Sequence, residues 1–305
     1  MMRSLFSAVS GLRNHQTAMD IIGNNIANVN TTAYKASSVI FSDIYSQTLS
    51  EATGASNNAG GSNAKQVGLG MEISSIRASI NEGSSMSTGN TLDFSISGEG
   101  YFIVKASDGN SYYTRNGAFS LDDVGNLVTQ TGNYVMGVMI DEADIGATSL
   151  TDFDPENDTL TNIVIDRNFF SSYSIDGNGI ISAVVKATSY TDAEGVDHML
   201  PADVGVGDEV QVGRVTLATF VNAAGLKKEG DSLYSVSTNS GDPLIDYANE
   251  DAASALKAGS LEMSNVDLAT ELTNMIIMQR GFQANSRVIT TSDTMLEELV
   301  NLKRS

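Results

Sequence analysis

The chain has 305 residues, enough for two or three domains with a sizeable core, and its net charge of −20 argues against nucleic acid and anionic membrane as partners. Cysteine is absent, which excludes disulfides, thiolate nucleophiles and thiolate metal sites. Glycine at 28 residues against three prolines points to β structure closed by glycine and asparagine turns.

The charge is unevenly placed. Residues 1–35 carry Arg3, Arg13 and Lys35 against Asp20, a sum of +2, and residues 259–305 sum to −2, so residues 36–258 hold the whole −20. The two ends can pack together without strong repulsion, while the middle prefers water.

At the N-terminus Leu5, Leu12, Met19 and Ile26 stand seven residues apart, with Ala8, Val9, Ile22 and Val29 beside them. A seven-residue repeat marks one face of a helix that wants a helical neighbour. Gly23 and Asn24-Asn25 weaken this helix, and it is expected to end before Thr31, within an N-terminal segment 1–34. Met1 to Gln16 is broken by Arg3, Ser4, Ser7, Ser10, Arg13, Asn14 and His15, so it lacks the apolar run of a secretory signal. No stretch reaches the roughly 18 apolar residues of a membrane span. The chain therefore either stays in the cytosol or leaves by a route that cleaves no such signal.

Residues 35–70 read as a connector region, because Ser50 to Lys65 consists almost wholly of small and polar residues. From Met71 the period becomes two: Met71 and Ile73, then Leu92, Phe94 and Ile96, then Phe102 and Val104 alternate as half-buried strands do. Residues 71–140 are expected to begin an inner β domain, with hairpin turns at Asp108-Gly-Asn110 and Asn116-Gly117. Phe119-Ser-Leu-Asp-Asp-Val-Gly-Asn-Leu-Val128 returns as Tyr173-Ser-Ile-Asp-Gly-Asn-Gly-Ile-Ile181, a short echo of one hairpin type. Asp141 to Asp158 holds seven carboxylates and no base. It opens a segment, 141–210, which the family resemblance carried by the two termini implies is an inserted outer β domain, after which 211–258 returns to the inner one.

The C-terminal segment 259–305 repeats the seven-residue period with Leu268, Met275, Phe282, Ile289 and Leu296, flanked by Leu272, Met278, Leu299 and Val300. From Leu261 onward it contains one glycine, Gly281, and no proline, and Ser264 with Asp267 resembles a capping box. A helix from Val266 to Leu302 is expected, on the order of 55 Å long at 1.5 Å per residue. Two long apolar stripes at opposite ends of one chain have two explanations: a helix pair within the molecule, or a bundle made by many copies. The fold class that follows is α+β, with long terminal helices forming a coiled-coil-like inner layer around nested β-rich middle domains.

Chemistry finds little support. The two histidines, His15 and His198, have no serine or acid tied to them by a motif, so no hydrolase triad is expected. Asp176-Gly-Asn178-Gly hints at a calcium loop, yet Ile180 stands where an oxygen ligand belongs and no glutamate closes the loop; a hairpin turn is the better reading. Asp152, Asp154, Glu156 and Asp158 are read as a solvated acidic loop, and Gly98-Glu-Gly100 lacks the third glycine of a phosphate loop. No catalytic, cofactor or metal site is expected.

Asn24-Asn-Ile-Ala-Asn-Val-Asn-Thr-Thr-Ala-Tyr-Lys35 resembles a signature of the axial proteins of the bacterial flagellum, which build rod, hook and hook-filament junction. Leu261-Glu-Met-Ser-Asn-Val-Asp-Leu268 and Met275-Ile-Ile-Met-Gln-Arg-Gly-Phe-Gln-Ala-Asn-Ser-Arg-Val-Ile-Thr-Thr-Ser-Asp-Thr-Met-Leu296 resemble that family's other terminal signature. One departure is Ala33, where the family usually has glycine and so permits a left-handed turn. Within the family, Ser37 to Leu49 and Val67 to Arg77 most resemble hook proteins, and Ser87 to Phe102 is shared almost as well with distal rod proteins.

The resemblance implies a structural subunit, not an enzyme. It would assemble into the tubular hook that passes torque from motor to filament, with the distal rod as the alternative; a secreted β-rich adhesin is the reading of another class. The implied partners are copies of itself, the distal rod, the hook-filament junction proteins, the hook cap and the flagellar type III export apparatus. The implied location is the flagellum, reached without a cleaved signal peptide. Leu5, Leu12, Met19, Ile26, Leu268, Met275, Phe282, Ile289 and Leu296 are the expected subunit-assembly residues.

Overall fold

The computed structural model describes residues 2–54, 60–140, 159–191, 197–201, 204–248 and 254–302. The chain forms two compact units. The first, helical unit takes the chain up to Val29, Lys35–Ser79 and the chain from Val266 onward; the second, β unit takes Asn30–Tyr34 and Ile80–Asn265.

In the helical unit α1 spans Met2–Ala27 and α2 spans Leu268–Leu302. α1 runs unbroken through Gly23 and Asn24-Asn25 and ends in a turn, where the Asn28 side-chain amide donates to the Asn24 carbonyl at 2.9 Å. α2 starts within two residues of the expected position, and Asp267 caps it. The Asp267 carboxylate accepts the Ala269 N–H at 3.0 Å and the Thr270 hydroxyl at 2.6 Å. With these bonds, Thr270's first, the Asp267 carboxyl is held below the ordinary aspartate range.

The helices pack against each other, antiparallel. Asn25 Nδ2 donates to Glu271 Oε2 at 3.3 Å, His15 Nδ1 lies 3.3 Å from the Met278 sulfur, and Gly11 abuts the Asn285 side chain. Going down α1 by 14 residues thus goes up α2 by 14. By the same register α2 residues from about 295 onward have no α1 residue opposite.

The strand Ser37–Asp43 pairs antiparallel with Met71–Ala78, and the pair lies on α1: Asn14 Nδ2 donates to the Met71 carbonyl at 2.6 Å, and the rings of His15 and Phe41 meet edge-on at 6.0 Å. The segment read as a connector therefore carries strands. Ser46–Ser50 pairs with Lys65–Gly68, and the Thr53 and Ser62 hydroxyls bond at 2.8 Å beyond them. A ladder needs only backbone N–H and C=O groups, so a run without apolar residues can still form a hairpin.

The β unit is organised on the 11-residue strand Glu209–Thr219, which pairs with Tyr101–Lys105, Tyr134–Met139, Ile180–Val185 and Leu244–Tyr247. Tyr101–Lys105 shows the period of two: Phe102 and Val104 enter the main core, while Tyr101 and Ile103 enter a smaller cluster with Tyr113, Phe220 and Tyr234. The main core also takes Ile163, Ile165, Phe170, Ile175, Ile181 and Val185. The described part of 141–210 thus shares sheet and core with its surroundings where a separate outer domain was expected; Asp141 to Asp158 lies outside the described residues.

Asp108-Gly-Asn110 turns a hairpin, but Asn116-Gly117 does not: its flanking strands pair with other neighbours, and Gly117 is required because a Cβ there would overlap the Phe94 carbonyl. The echoed motifs do form one hairpin type. The N–H of Asp122 donates to the Asn126 carbonyl at 3.0 Å and that of Gly125 to Asp122 at 3.3 Å; Asp176, Ile180 and Gly179 repeat the pattern at 3.1 and 2.9 Å.

Candidate assembly surface

α2 carries two apolar rows with different surroundings. Met275, Phe282, Ile289 and Leu296 are half-buried, on the same helical face as Met278, Gly281 and Asn285, which touch α1. Leu5, Leu12, Met19 and Ile26 of α1 are half-buried as well, flanking a buried seam of Ala8, Gly11, Ala18, Ile22 and Asn25. Small residues in that seam let the helices approach closely. Of the nine residues expected to carry assembly, then, eight are half-buried, seven of them within the span where the two helices run side by side, and Leu268 alone is exposed.

The second row is the one sequence reasoning did not single out as an interface. Leu272, Ile276, Ile277, Val288, Met295, Leu299, Val300 and Leu302 are 42–72% exposed, and Phe6 on α1 is 68% exposed. Leu272 and Ile276, and again Met295 and Leu299, stand at i and i+4, the spacing of one helical face. Exposed apolar side chains in such number on one helix are a mark of protein association.

Polar groups fix the geometry on which the rows are displayed. Asn25 is 1% exposed; its Oδ1 accepts the Ser37 N–H at 3.0 Å and its Nδ2 donates to the Ser37 carbonyl at 2.8 Å. One side-chain amide thus ties α1 to the first residue of a strand and, through Glu271, to α2. His15 sits between the helices, where burial lowers its basicity.

In the β unit a buried ion pair gathers three segments, each next to a point where the chain passes between units. Arg115 Nε donates to Glu262 Oε2 at 2.8 Å, with both side chains 1% exposed. Glu262 Oε1 accepts the Gly83 N–H at 3.0 Å, and the Glu262 carbonyl accepts the Ala33 N–H at 2.8 Å. Arg115 Nη2 donates to the carbonyls of Gly98 at 2.8 Å and Ile96 at 3.3 Å. Ala33 holds the left-handed backbone at φ 57° without being glycine. Nearby, the Lys228 ammonium lies 5.2 Å from the centroid of the Tyr34 ring. Nothing in the sequence marks Arg115 as the partner of Glu262, since 147 residues separate them.

Among the described residues no group of three or more His, Asp or Glu side chains is placed to hold a metal, and Asp176 to Gly179 is a hairpin turn.

Three family models match the chain: flagella basal body rod protein at residues 5–35, flagellar hook protein FlgE/F/G D1 domain at 95–183, and flagellar basal body rod FlgEFG protein C-terminal at 257–302. The chain is 42% identical to the flagellar basal-body rod protein FlgG of Bacillus subtilis (strain 168) over 305 positions, covering all of both chains. The chain belongs to the flagellar hook and basal-body rod family. It is also 33% identical to the rod protein FlgG of Agrobacterium fabrum, over 96% of this chain and 97% of that one, and 30% identical to the hook protein FlgE of Borreliella burgdorferi, over 99% and 100%.

The family is one of structural flagellar components, so the adhesin reading has no support left. The two terminal signatures fall in the matched termini and meet physically, Asn30–Tyr34 against Glu262–Asn265. Within the family the expected preference is reversed. The hook relative aligns only by extending the alignment to 442 positions, whereas the Bacillus rod relative needs none beyond the 305 of this chain.

Proposed function

We propose that this protein is a subunit of the flagellar basal-body rod and that it builds the rod by self-association through its helical unit. The observation that carries this reading is the end-to-end alignment with the Bacillus rod protein at 42% identity, covering all of both chains. The hook remains the second reading, supported by hook proteins 30–31% identical over essentially the whole of this chain.

The association surface is the exposed row on α2 from Leu268 to Leu302, supplemented by Phe6 and by the parts of Leu5, Leu12, Met19 and Ile26 that α1 leaves open. Each large apolar side chain moved from water to full burial contributes about 1.5–3 kcal/mol, so a few per contact suffice to offset the cost of ordering two chains. Met275, Phe282 and Ile289 then act indirectly, by holding α2 on α1. The partners are further copies, neighbouring rod subunits and the hook. Passage through the flagellar export apparatus belongs to the same reading; among the described residues no helix is long and apolar enough to cross a membrane.

The test is electron microscopy of purified protein driven to polymerise. Straight tubes are expected from the wild type and none from Leu272→Asp/Ile276→Asp, whose β unit should melt as before. Curved tubes would favour the hook, and normal tubes from the double variant would refute the α2 surface.

A further inference from the structure

The β unit holds a hollow of about 240 Å³ formed by the bend Glu99–Tyr101, Arg115 and residues 220–224. Every residue lining it is among the described ones. The strand Tyr101–Lys105 places the Tyr101 ring on one wall, and the end of the strand Glu209–Thr219 delivers Phe220 to another; the two buried rings meet edge-on at 5.8 Å. Arg115 Cζ lies 5.8 Å from the Tyr101 ring centroid, so a guanidinium stands beside this aromatic wall.

Two polar side chains of the lining are only partly used by the protein. Arg115 is 1% exposed; its Nε donates to Glu262 and its Nη2 to the carbonyls of Gly98 and Ile96, while Nη1 has no acceptor among the described residues. Nη1 is not sealed in, and it opens onto the hollow that Arg115 lines. A buried donor without an acceptor is costly, and a guanidinium keeps all five of its N–H groups. Asn222 is the counterpart. Its Nδ2 donates to the Asn239 carbonyl at 2.9 Å, which assigns the other atom as oxygen. That Oδ1 caps no N–H of the helical turn Ala223–Gly225 and receives no other donor among the described residues. The hollow thus offers one donor and one acceptor beside an aromatic wall. An anion is a poor match. Glu262 already neutralises Arg115 at 2.8 Å and exposed Glu99 stands on the rim, so an incoming carboxylate would meet two others against one guanidinium. An amide matches both groups at no charge, and Val221, 85% exposed on the same rim, gives an apolar body something to lie against.

We propose that this hollow is a binding site for a secondary amide on a small apolar body, with Arg115 Nη1 donating to its carbonyl and Asn222 Oδ1 accepting its N–H. Two sources supply that group: a free amide, or a peptide unit of a neighbouring copy. Only the second source rests on the self-association proposed above. The test is nuclear magnetic resonance of the Arg115 guanidinium in the full chain labelled with ¹⁵N-arginine, the signal being assigned by its loss in Arg115→Lys. N-methylisobutyramide should shift it saturably, and isobutyrate, the carboxylate of the same body, should bind at least tenfold more weakly. Asn222→Leu should weaken the amide at least fivefold. Ala224→Trp, which fills the hollow from its exposed rim and leaves the Arg115–Glu262 pair alone, should abolish saturation, and an unchanged melting temperature shows that each variant is folded. In polymerised protein, a guanidinium signal already at its amide-bound position, with polymerisation slowed at least tenfold by Ala224→Trp, supports the site and makes the neighbouring copy its source. A signal at the free position that still answers the probe supports the site and makes a free amide its source. A shift that never saturates, one unaffected by Ala224→Trp, or isobutyrate binding as tightly as the amide would overturn the proposal. A wild-type chain that forms no polymer would count against the rod reading and leave the monomer titration to decide the site.

Discussion

Replacing Glu262 by Gln tests whether the buried ion pair is what joins the two signature segments to the β unit. Gln is nearly isosteric, so little volume changes. What changes is that Arg115 Nε and the Gly83 N–H, both donors now served by two carboxylate oxygens, must share one amide oxygen while the new NH2 faces a donor. Breaking a buried pair from one side costs about 3–5 kcal/mol. The lower end applies here, because the Gly98 and Ile96 carbonyls still receive the guanidinium. At 2–4 °C per kcal/mol for a body of 150–250 residues, a loss of about 3 kcal/mol lowers the melting temperature by roughly 6–12 °C. The assay is scanning calorimetry with near-ultraviolet circular dichroism of the tyrosines, which dominate that signal because the chain has no tryptophan. The double change Arg115→Met/Glu262→Met should recover more than half of the loss, since removing both charges removes the desolvation cost. A Glu262→Gln melting temperature within about 2 °C of wild type would refute the reasoning.

Ala33 sets opposing effects against each other: its left-handed backbone costs about 1–2 kcal/mol, while a glycine would lose a buried methyl worth about 0.8 kcal/mol and gain unfolded-state entropy worth about 0.4–1. Ala33→Gly should therefore shift the β-unit melt by less than about 2 °C, and Ala33→Val, with its branched side chain at positive φ, should lower it by more than about 4 °C. A Cβ at Gly281 would stand 2.8 Å from His15 Nε2, so Gly281→Val should cost the helical unit about 1–3 kcal/mol, read as an earlier loss of far-ultraviolet helicity with the β unit unmoved. Acid should weaken the helical unit in two windows. His15 is held below its ordinary 6.5, so the unfolded chain takes the proton first and stability falls as pH drops below about 6.5; His15→Gln should flatten that window. Asp267 is held below its ordinary 3.8, so its contribution is present above that value and is lost as pH falls further, and Asp267→Ala should remove this second decline.

The two terminal helices were legible because a seven-residue apolar repeat has few other meanings, and α2 begins within two residues of its expected start. Which of two adjacent apolar rows meets the internal partner was not legible. Phe282 and Ile276 look alike in composition, and the choice is made by Ala8, Gly11 and Ala18 on the opposite helix, small residues whose importance shows only once the helices are aligned. The pairing of Ser46–Ser50 with Lys65–Gly68 rests on backbone bonds, and Thr53 with Ser62 extends it into the small polar run between them, where no hydrophobic pattern marks it. The Arg115–Glu262 pair was invisible because an arginine between two strands gives no sequence sign that it is buried. Motifs shared by hook and rod proteins do not separate the two; the alignment with the rod relative stays within 305 positions, while that with the hook relative extends to 442.

The uncovered tip of α2 gives the molecule a direction. Met295, Leu299, Val300 and Leu302 crowd one end of the helix, and Leu268, Leu272, Ile276 and Ile277 crowd the other, about 35–40 Å away along its axis. If two tips met each other the contact would be symmetric and would close on itself after a single pairing. Only a tip laid against the opposite end of its neighbour leaves a fresh tip for the next arrival, so any filament joined through these ends has a head and a tail and grows without a built-in stopping point.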